Sequence, residues 1–219
     1  MRVKGVLIDL DGTLVDSLPV YDETLRDVLK EFNLDISSEK FDFLGEHPDE
    51  IVRKIIKKYN LNISLEEFKK KRNEYFSKKL DKIKLFPGAI DLINFLKEKN
   101  IKMGLVTASQ REVTDMILEN LKVKDIFDVI ITSDDVEKSK PNPDPYILAI
   151  RRLNLSPYEV FAIEDSIYGI LSAKRAGINV IAVLTGVNRR SEIKMLNPYK
   201  ICKNLKEVKK VLEEELSRL

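Results

Sequence analysis

Two aspartates at the end of an apolar run are the residues in this sequence best placed to do chemistry. Asp9 lies near the end of the run Lys4–Leu10, and Asp11 directly follows it; the run is short and contains β-branched residues. Because residues i and i+2 of a strand point to the same side, both carboxylates can face one small volume. Asp165 directly follows another apolar run and would reach the same edge of a sheet. Three converging carboxylates suit a hard divalent cation such as Mg²⁺, although an aspartate at a strand end also commonly caps a turn.

Residues that favour an anion accompany these aspartates. A glycine permits a sharp turn with free amides, and a helix start offers amides and a positive dipole end. Ser109-Gln110-Arg111-Glu112 has the capping-box pattern of such a start, and a lysine in a Pro-rich loop can neutralise phosphoryl charge. A phosphate group is therefore the predicted guest. The candidate phosphate-binding residues are Gly12, Thr13, Thr107, Ala108, Ser109 and Lys140.

Five apolar runs must position these side chains. Near-continuous apolar runs are typical of strands that are covered on both faces, and amphipathic helical patterns lie between them. This alternation predicts an α/β fold with a doubly wound, Rossmann-like parallel sheet, whose ligands bind at the carboxyl ends of the strands. The predicted strands are 4–10, 101–107, 129–132, 160–164 and 180–184.

One gap is too long for a single crossover helix. About 90 residues separate the first two predicted strands, far more than a crossover needs. Three helices are predicted there, at 19–32, 49–59 and 64–80, and the last opens with a capping box at Ser64 and Glu67. We interpret residues 17–83 as an inserted helical cap domain, and residues 1–16 and 84–219 as the core.

Composition excludes several classes of protein. The 219 residues include 38 Lys and Arg against 36 Asp and Glu, a net charge of +2, which predicts no affinity for nucleic acid or an anionic membrane. A single cysteine, Cys202, rules out an internal disulfide and a cysteine zinc site. Neither a membrane span nor a signal peptide is evident, so we expect a cytoplasmic protein.

The ordered motifs resemble those of the haloacid dehalogenase superfamily. Four matching segments follow one another in the family's order, and the insertion after the first resembles the family's helical cap. Gly12–Ser17 and the stretch from Gly169 to Gly177 look most like the phosphoglycolate phosphatase and β-phosphoglucomutase-like branch. The core resemblance covers about two-thirds of the chain. The four segments are Asp9-Leu10-Asp11-Gly12-Thr13-Leu14, Thr107, Lys140-Pro141 and Glu164-Asp165-Ser166.

This resemblance implies a Mg²⁺-dependent phosphatase. Asp9 would attack phosphorus and form an aspartyl-phosphate, while Asp11 would act as the acid and then the base. The metal would be held by the Asp9 carboxylate, the Asp11 main-chain carbonyl and Asp165, with Glu164 close behind. Thr107, the amides that follow it and Lys140 would bind the phosphoryl oxygens.

Three other activities share parts of this pattern. A dehalogenase has no use for an acid at Asp11, because a departing halide needs no proton. The sugar-phosphate mutase of this branch carries a histidine where this chain has Tyr21 and a lysine where it has Gln110, and both differences disfavour a mutase. A receiver-like phospho-acceptor module pairs similar residues but has no use for an inserted cap. The alternatives to a phosphatase are therefore chiefly a phosphomutase or a phospho-acceptor.

The substrate depends on the cap, where patterns are least informative. Phosphoglycolate, a sugar phosphate, a nucleotide and pyrophosphate are all compatible, and we expect a small phosphorylated metabolite as the only partner of a monomer or homodimer. His47 and Arg111 are candidates for substrate contact. A run of basic residues in the cap could guide an anionic substrate or touch nucleic acid, but it is predicted to be a solvated helix face. The run is Lys69-Lys70-Lys71-Arg72, followed by Lys78, Lys79, Lys82 and Lys84.

Overall fold

The computed structural model describes residues 3–34 and 48–217, and within them the chain alternates strands with helices. The strands are β1 (Gly5–Ile8), β2 (Val15–Asp16), β3 (Lys84–Leu85), β4 (Lys102–Val106), β5 (Val129–Ile131), β6 (Val160–Glu164), β7 (Asn179–Val183) and β8 (Lys200–Cys202). The helices are α1 (Leu18–Lys30), α2 (Pro48–Lys58), α3 (Leu65–Ser77), α4 (Ala89–Glu98), α5 (Arg111–Asn120), α6 (Asp144–Arg152), α7 (Ile167–Arg175), α8 (Arg190–Met195) and α9 (Leu205–Ser217).

The predicted parallel sheet is confirmed. Six strands pair in the order β5-β4-β1-β6-β7-β8, and every neighbouring pair is parallel. The five strands predicted from apolar runs all form. The sheet also contains β8, which the sequence analysis missed because it is only three residues long and starts with an exposed lysine.

Helices cover both faces of the sheet. On one face, α4, α5 and α9 bury residues such as Leu92, Ile117 and Leu212 against β1 and β4. On the other, α6 and α7 bury Tyr146 and Ile170. Both faces of the strands are therefore shielded from water, which explains why their sequences are apolar runs without alternation.

The inserted helices α1, α2 and α3 form a third apolar cluster. Leu25, Val52 and Phe68, one from each helix, lie within it. The predicted capping box at the start of α3 is confirmed, because the Glu67 amide donates to Ser64 Oγ at 3.2 Å and the Ser64 amide donates to Glu67 Oε2 at 3.0 Å.

The chain enters and leaves the inserted helices through a short antiparallel ladder. Val15 pairs with Leu85 and Asp16 pairs with Lys84 in β2 and β3. This ladder lies where the sequence predicts the two crossings between core and cap. The division of the chain at these points into two domains stays a prediction.

The connections place one crevice beside β1. The chain adds β4 and β5 on one side of β1, then crosses to β6 on the other side and continues to β8. In doubly wound sheets, ligands bind at the carboxyl ends of the strands where this direction changes. Among residues 3–34 and 48–217, every helix is too short or too polar to cross a bilayer.

Candidate active site

Three buried carboxylates meet where β1 and β6 end. Asp9 follows β1, Glu164 is the last residue of β6, and Asp165 comes next. The two strands are neighbours with Ile8 opposite Ile163, so their carboxyl ends deliver these side chains to one place. Each carboxylate offers an oxygen within 4.8 Å of the others, and all three residues are buried. The convergence of Asp9 and Asp165 that strand position predicts is therefore seen in the structure.

A single buried lysine joins the group. Lys140 Nζ donates to Asp9 Oδ1 at 2.7 Å, to Glu164 Oε1 at 2.6 Å and to the Val106 carbonyl at 2.8 Å. These three bonds use all three protons of the ammonium group. Lys140 therefore fixes Asp9 and Glu164 directly, and its predicted role as a phosphate ligand stays a prediction.

The negative charge of the group exceeds the positive charge of Lys140. Burial, together with the charge of Asp9, raises the pKa of Glu164 to about 7 in spite of the attraction of Lys140. Burial and the charges of Asp9 and Glu164 also raise the pKa of Asp165 well above its ordinary value. Burial alone would lower the pKa of Lys140, but the same two carboxylates raise it above its usual value.

Asp11 lies in a separate cradle of hydroxyl groups. Ser17 Oγ donates to Asp11 Oδ1 at 2.6 Å, and Ser109 Oγ donates to Asp11 Oδ2 at 2.6 Å. Thr107 Oγ1 lies 3.4 Å from Asp11 Oδ2. The three carboxylates that could share one cation are therefore those of Asp9, Glu164 and Asp165, and the Asp11 side chain is not among them. Metal binding by the Asp11 main-chain carbonyl stays a prediction.

The surroundings of Asp11 favour its protonated form. Burial, followed by the charge of Asp9, raises the pKa of Asp11, while hydrogen bonds from Ser109, Ser17 and Tyr21 act in the opposite direction. A carboxyl group whose pKa is raised toward the working pH can carry and return a proton. The geometry is therefore compatible with an acid/base role for Asp11.

The turn after Asp11 packs tightly against Asp165. Gly12 adopts a positive φ of 79°, and a Cβ atom there would lie 2.5 Å from Asp165 Oδ2. Thr13 Oγ1 donates to Asp165 Oδ1 at 2.9 Å. Gly12 and Thr13 therefore position Asp165 in this structure, and their predicted contact with phosphate stays a prediction.

The predicted capping box at Ser109 is wrong. Helix α5 begins at Arg111 after the N-cap residue Gln110, whose side chain makes no capping hydrogen bond, and the Arg111 amide donates to Asp134 Oδ2 at 2.8 Å. The Ser109 hydroxyl is used by Asp11, while the Ser109 amide donates to Thr107 Oγ1 at 3.0 Å. The strongly accepting carboxylate takes the hydroxyl that would otherwise cap the helix.

A cavity of about 110 Å³ opens between the core and the inserted helices. Its core side contains most of the predicted site residues, and its other side is formed largely by α1, α2 and α3. The core side comprises Asp9, Asp11, Thr107, Ala108, Ser109, Gln110, Val113, Lys140, Asp165 and Ser166, and the other side comprises Leu18, Tyr21, Leu25, Ile51, Val52, Ile55 and Arg72.

The weaker substrate-contact candidates do not reach this cavity within the described part of the chain. Arg111 Nη2 binds Asp135 Oδ2 at 2.5 Å and the Ile130 carbonyl at 3.0 Å. His47 lies outside the described residues. The described cavity lining includes none of the cap lysines, and Lys71 and Lys79 form ion pairs with acidic residues of the cap.

The structure adds three residues that the sequence analysis did not assign to the site. Ser17 holds Asp11, and Tyr146 Oη donates to Glu164 Oε1 at 2.6 Å. Arg72 lines the cavity, and because it is buried there the prediction of a solvated helix face is wrong for this residue. The sequence could have shown this, because Arg72 lies four positions from both Phe68 and Phe76 and so shares their buried face of α3.

Comparison with known proteins agrees with this architecture. The sequence model of haloacid dehalogenase-like hydrolases matches residues 6–183. The chain is 31% identical over 216 residues to the phosphorylated carbohydrates phosphatase of Thermotoga maritima, covering 94% of this chain and 100% of that protein. It is 28% identical to the phosphoglycolate phosphatase of Escherichia coli strain K12, with coverage of 90% and 87%. The crystal structure of a candidate β-phosphoglucomutase from Thermotoga maritima superposes with a TM-score of 0.78 at 28% identity, covering 98% of this chain and 99% of that one. The chain therefore belongs to the haloacid dehalogenase-like hydrolase family, in the branch of the phosphoglycolate phosphatases and β-phosphoglucomutases.

Proposed function

We propose that this enzyme is a Mg²⁺-dependent phosphatase that hydrolyses a small phosphorylated metabolite, of the phosphoglycolate or sugar-phosphate type, through an aspartyl-phosphate on Asp9. Its family and the phosphatases among its relatives make it a phosphatase. One observation carries the proposed mechanism: Asp9 is buried, accepts a hydrogen bond from Lys140 and lies in the same cavity as Asp11. Burial raises the pKa of Asp11 and so favours its protonated form. A fixed carboxylate nucleophile and a separate acid are the two groups that such a reaction requires.

The carboxylates fit a divalent cation. Asp9, Glu164 and Asp165 are buried within 4.8 Å of one another, with one lysine to offset them. Carboxylate oxygens are the ligands that Mg²⁺ prefers, and the raised pKa of Glu164 and of Asp165 reflects charge that a cation would relieve. When bound, the cation would neutralise phosphate charge and orient the phosphoryl group. Asp9 and Asp165 would hold it, with Glu164 behind them.

In the first step, a carboxylate oxygen of Asp9 attacks phosphorus. A bond forms between this oxygen and phosphorus, and the bond between phosphorus and the ester oxygen breaks. Protonated Asp11 gives its proton to the departing oxygen, so an alcohol leaves and Asp11 becomes ionised. Ser17 and Ser109 then stabilise this carboxylate through the two short hydrogen bonds that they donate.

In the second step, water replaces Asp9 on phosphorus. Ionised Asp11 accepts a proton from the water as its oxygen bonds to phosphorus, and the bond to Asp9 breaks. Phosphate is released, the Asp9 carboxylate is restored, and Asp11 is protonated for the next cycle. Throughout the cycle, Lys140 keeps Asp9 oriented and stabilises its negative charge whenever that charge is present.

A phosphomutase is the second candidate, because a candidate β-phosphoglucomutase is among the structural neighbours. At the position of the mutase histidine, this chain has Tyr21, whose hydroxyl lies 3.2 Å from Ser109 Oγ. Burial and the charge of Asp11 raise the pKa of Tyr21 well above its ordinary value. A tyrosine in this state exchanges protons poorly at neutral pH, so hydrolysis is the better supported outcome.

Phosphate release from a panel of phosphorylated metabolites, measured with Mg²⁺ and with EDTA, tests the proposal. We expect phosphate release that requires Mg²⁺ and disappears in Asp9→Asn. The circular dichroism spectrum of this variant should match that of the unaltered protein. The panel should include phosphoglycolate, sugar phosphates, nucleotides and pyrophosphate. The proposal of hydrolysis would be refuted if the folded protein released no phosphate from any of them. Interconversion of sugar phosphates would then indicate a mutase, and stable phospho-Asp9 would indicate a phospho-acceptor.

A further inference from the structure

Arg72 is a buried cation in the wall of the active-site cavity. It lies on α3, is only 9% exposed, and lines the same cavity as Asp9 and Asp11. Burial lowers the pKa of its guanidinium group, yet arginine stays charged at physiological pH. A charge in such a place is costly unless something compensates it.

The protein itself compensates Arg72 only in part. Its Nε and Nη2 donate to Asn73 Oδ1 at 3.2 and 3.0 Å, and Nη2 also donates to Gln110 Oε1 at 2.9 Å. Both acceptors are neutral amides. Within the described residues, Nη1 has no hydrogen bond and no carboxylate forms an ion pair with Arg72. One nitrogen with two N–H groups therefore remains for a ligand.

The acidic side chains that raise the pKa of Arg72 are engaged with other partners. Asp49 and Glu112 are close enough to influence the pKa of Arg72. Asp49 faces Lys69 Nζ at 3.4 Å, and Glu112 accepts from Asn73 Nδ2 at 2.7 Å. Neither carboxylate neutralises the guanidinium group directly.

Arg72 and the reacting carboxylate line the same cavity from different parts of the chain. Asp9 belongs to the core and Arg72 to the inserted helices, and apolar side chains of α1 and α2 line the wall beside them, among them Leu25, Val52 and Ile55. A phosphoryl group bound at Asp9 would therefore direct its leaving group toward Arg72 and an apolar wall. That wall offers little to the hydroxyl groups of a sugar but does not oppose a compact acid.

We propose that Arg72 determines specificity by binding a second anionic group on the leaving-group side of the substrate, so that the preferred substrates are small phosphate monoesters carrying a carboxylate or a second phosphate. This inference rests on the proposed phosphatase function. Arg72 touches the part of the substrate that does not react, and it raises kcat/KM only for substrates that carry the second anion.

Steady-state kinetics with three matched compounds test this role. Phosphoglycolate carries a carboxylate, ethylene glycol bisphosphate carries a second phosphate, and ethyl phosphate carries neither. We expect Arg72→Gln to lower kcat/KM by about 10- to 100-fold for the preferred compound with a second anionic group, the range for losing a hydrogen bond to a charged group. For ethyl phosphate the loss should stay below about threefold. Comparing phosphoglycolate with ethylene glycol bisphosphate identifies which second anion is preferred.

Two further variants separate recognition from folding. Arg53→Gln makes the same chemical change at an exposed arginine of α2 paired with Glu50, and it should leave all three rates unchanged. Arg72→Lys retains the charge and should recover part of the discrimination. If Arg72→Gln does not fold, the deciding quantity is the ratio in Arg72→Lys of kcat/KM for the preferred compound with a second anionic group to kcat/KM for ethyl phosphate.

Each result favours or overturns the inference. Equal losses of kcat/KM for ethyl phosphate and for the two compounds with a second anionic group would mean that Arg72 is structural and would overturn the inference. A lack of preference for a second anionic group in the unaltered protein would also overturn it. Hydrolysis of ethyl phosphate that depends on Asp9 reports on the phosphatase function alone. If the unaltered protein hydrolyses none of the three compounds but releases phosphate from other members of the panel, the inference fails and the phosphatase function stands.

Discussion

Replacing Asp165 with asparagine should stabilise the metal-free protein while removing its response to Mg²⁺. Asp165 is buried beside Asp9 and Glu164, with oxygens of all three within 4.8 Å. Lys140 bonds the other two carboxylates but not Asp165. Asparagine keeps the size of the side chain and an oxygen that can accept from Thr13, so the substitution removes mainly the charge.

The magnitude follows from the distances. At an effective dielectric constant of about 20, two unit charges at 4.8 Å, the upper limit of the separations in this group, interact by about 3.5 kcal/mol. Asp165 is repelled by two carboxylates and attracted by one ammonium group, and proton uptake relieves part of the excess. We therefore expect Asp165→Asn to raise the free energy of unfolding by about 1–3 kcal/mol at neutral pH in EDTA.

The effect has a defined dependence on pH. Burial and like charge raise the pKa of Asp165 and that of Glu164, the latter to about 7. The folded protein therefore binds these protons more tightly than the unfolded chain does. Its metal-free stability should fall as the pH rises from the ordinary carboxylate range, about 4, through 7 and above. The advantage of Asp165→Asn should grow over the same interval.

Urea denaturation in EDTA and in Mg²⁺ measures both effects. Saturation to about 100 times the dissociation constant should stabilise the unaltered protein by about 2.7 kcal/mol, and Asp165→Asn should gain almost nothing. Asp9→Asn should leave the metal-free stability nearly unchanged, because it loses repulsion and the Lys140 bond together. Exposed Asp81→Asn is the control. If Asp165→Asn is less stable than the unaltered protein in EDTA at neutral pH, the reasoning about uncompensated charge is wrong.

Two further predictions concern Gly169 and Ser64. A Cβ atom at Gly169 would lie 1.9 Å from Glu164 Oε2, so Gly169→Ala should destabilise by about 1–3 kcal/mol, despite the better helix propensity of alanine, and reduce kcat by displacing Glu164. A variant with unchanged melting temperature and kcat would contradict this close contact. Ser64→Ala removes the capping box of α3 and should cost about 1 kcal/mol by urea denaturation with little change in kcat. Ser77→Ala, at the other end of that helix, should cost less than about 0.5 kcal/mol, and equal costs for the two serines would contradict the capping argument.

Strand positions could be predicted because they depend on local patterns. The apolar runs before Asp9 and Asp165 are covered on both faces, and parallel strands must bring their carboxyl ends to one edge of the sheet. The meeting of these two aspartates therefore follows from the order of elements alone. The two-residue ladder of β2 and β3 does not, because it forms between segments that are far apart in the sequence.

Side-chain partners depended on competition that the sequence does not show. Ser109 fits a capping box, but in the folded protein its hydroxyl donates a hydrogen bond to the Asp11 carboxylate. Arg111 follows the second motif closely in the sequence, yet its guanidinium group binds Asp135 instead of facing the cavity. Arg72 belongs to a helix that is distant in sequence, and only the packing of α3 over the core brings it to the cavity.

The most direct test of the mechanism is to trap the phosphorylated enzyme. Asp11→Asn should slow both formation and breakdown of the intermediate, so a single turnover with Mg²⁺ and the best substrate of the panel can be stopped with acid at successive times. Peptide mapping by mass spectrometry then locates the phosphoryl group. We predict one phosphoryl group on Asp9 that appears and decays, and none in Asp9→Asn. Normal turnover in Asp11→Asn, or a phosphoryl group on another residue, would contradict the proposed mechanism.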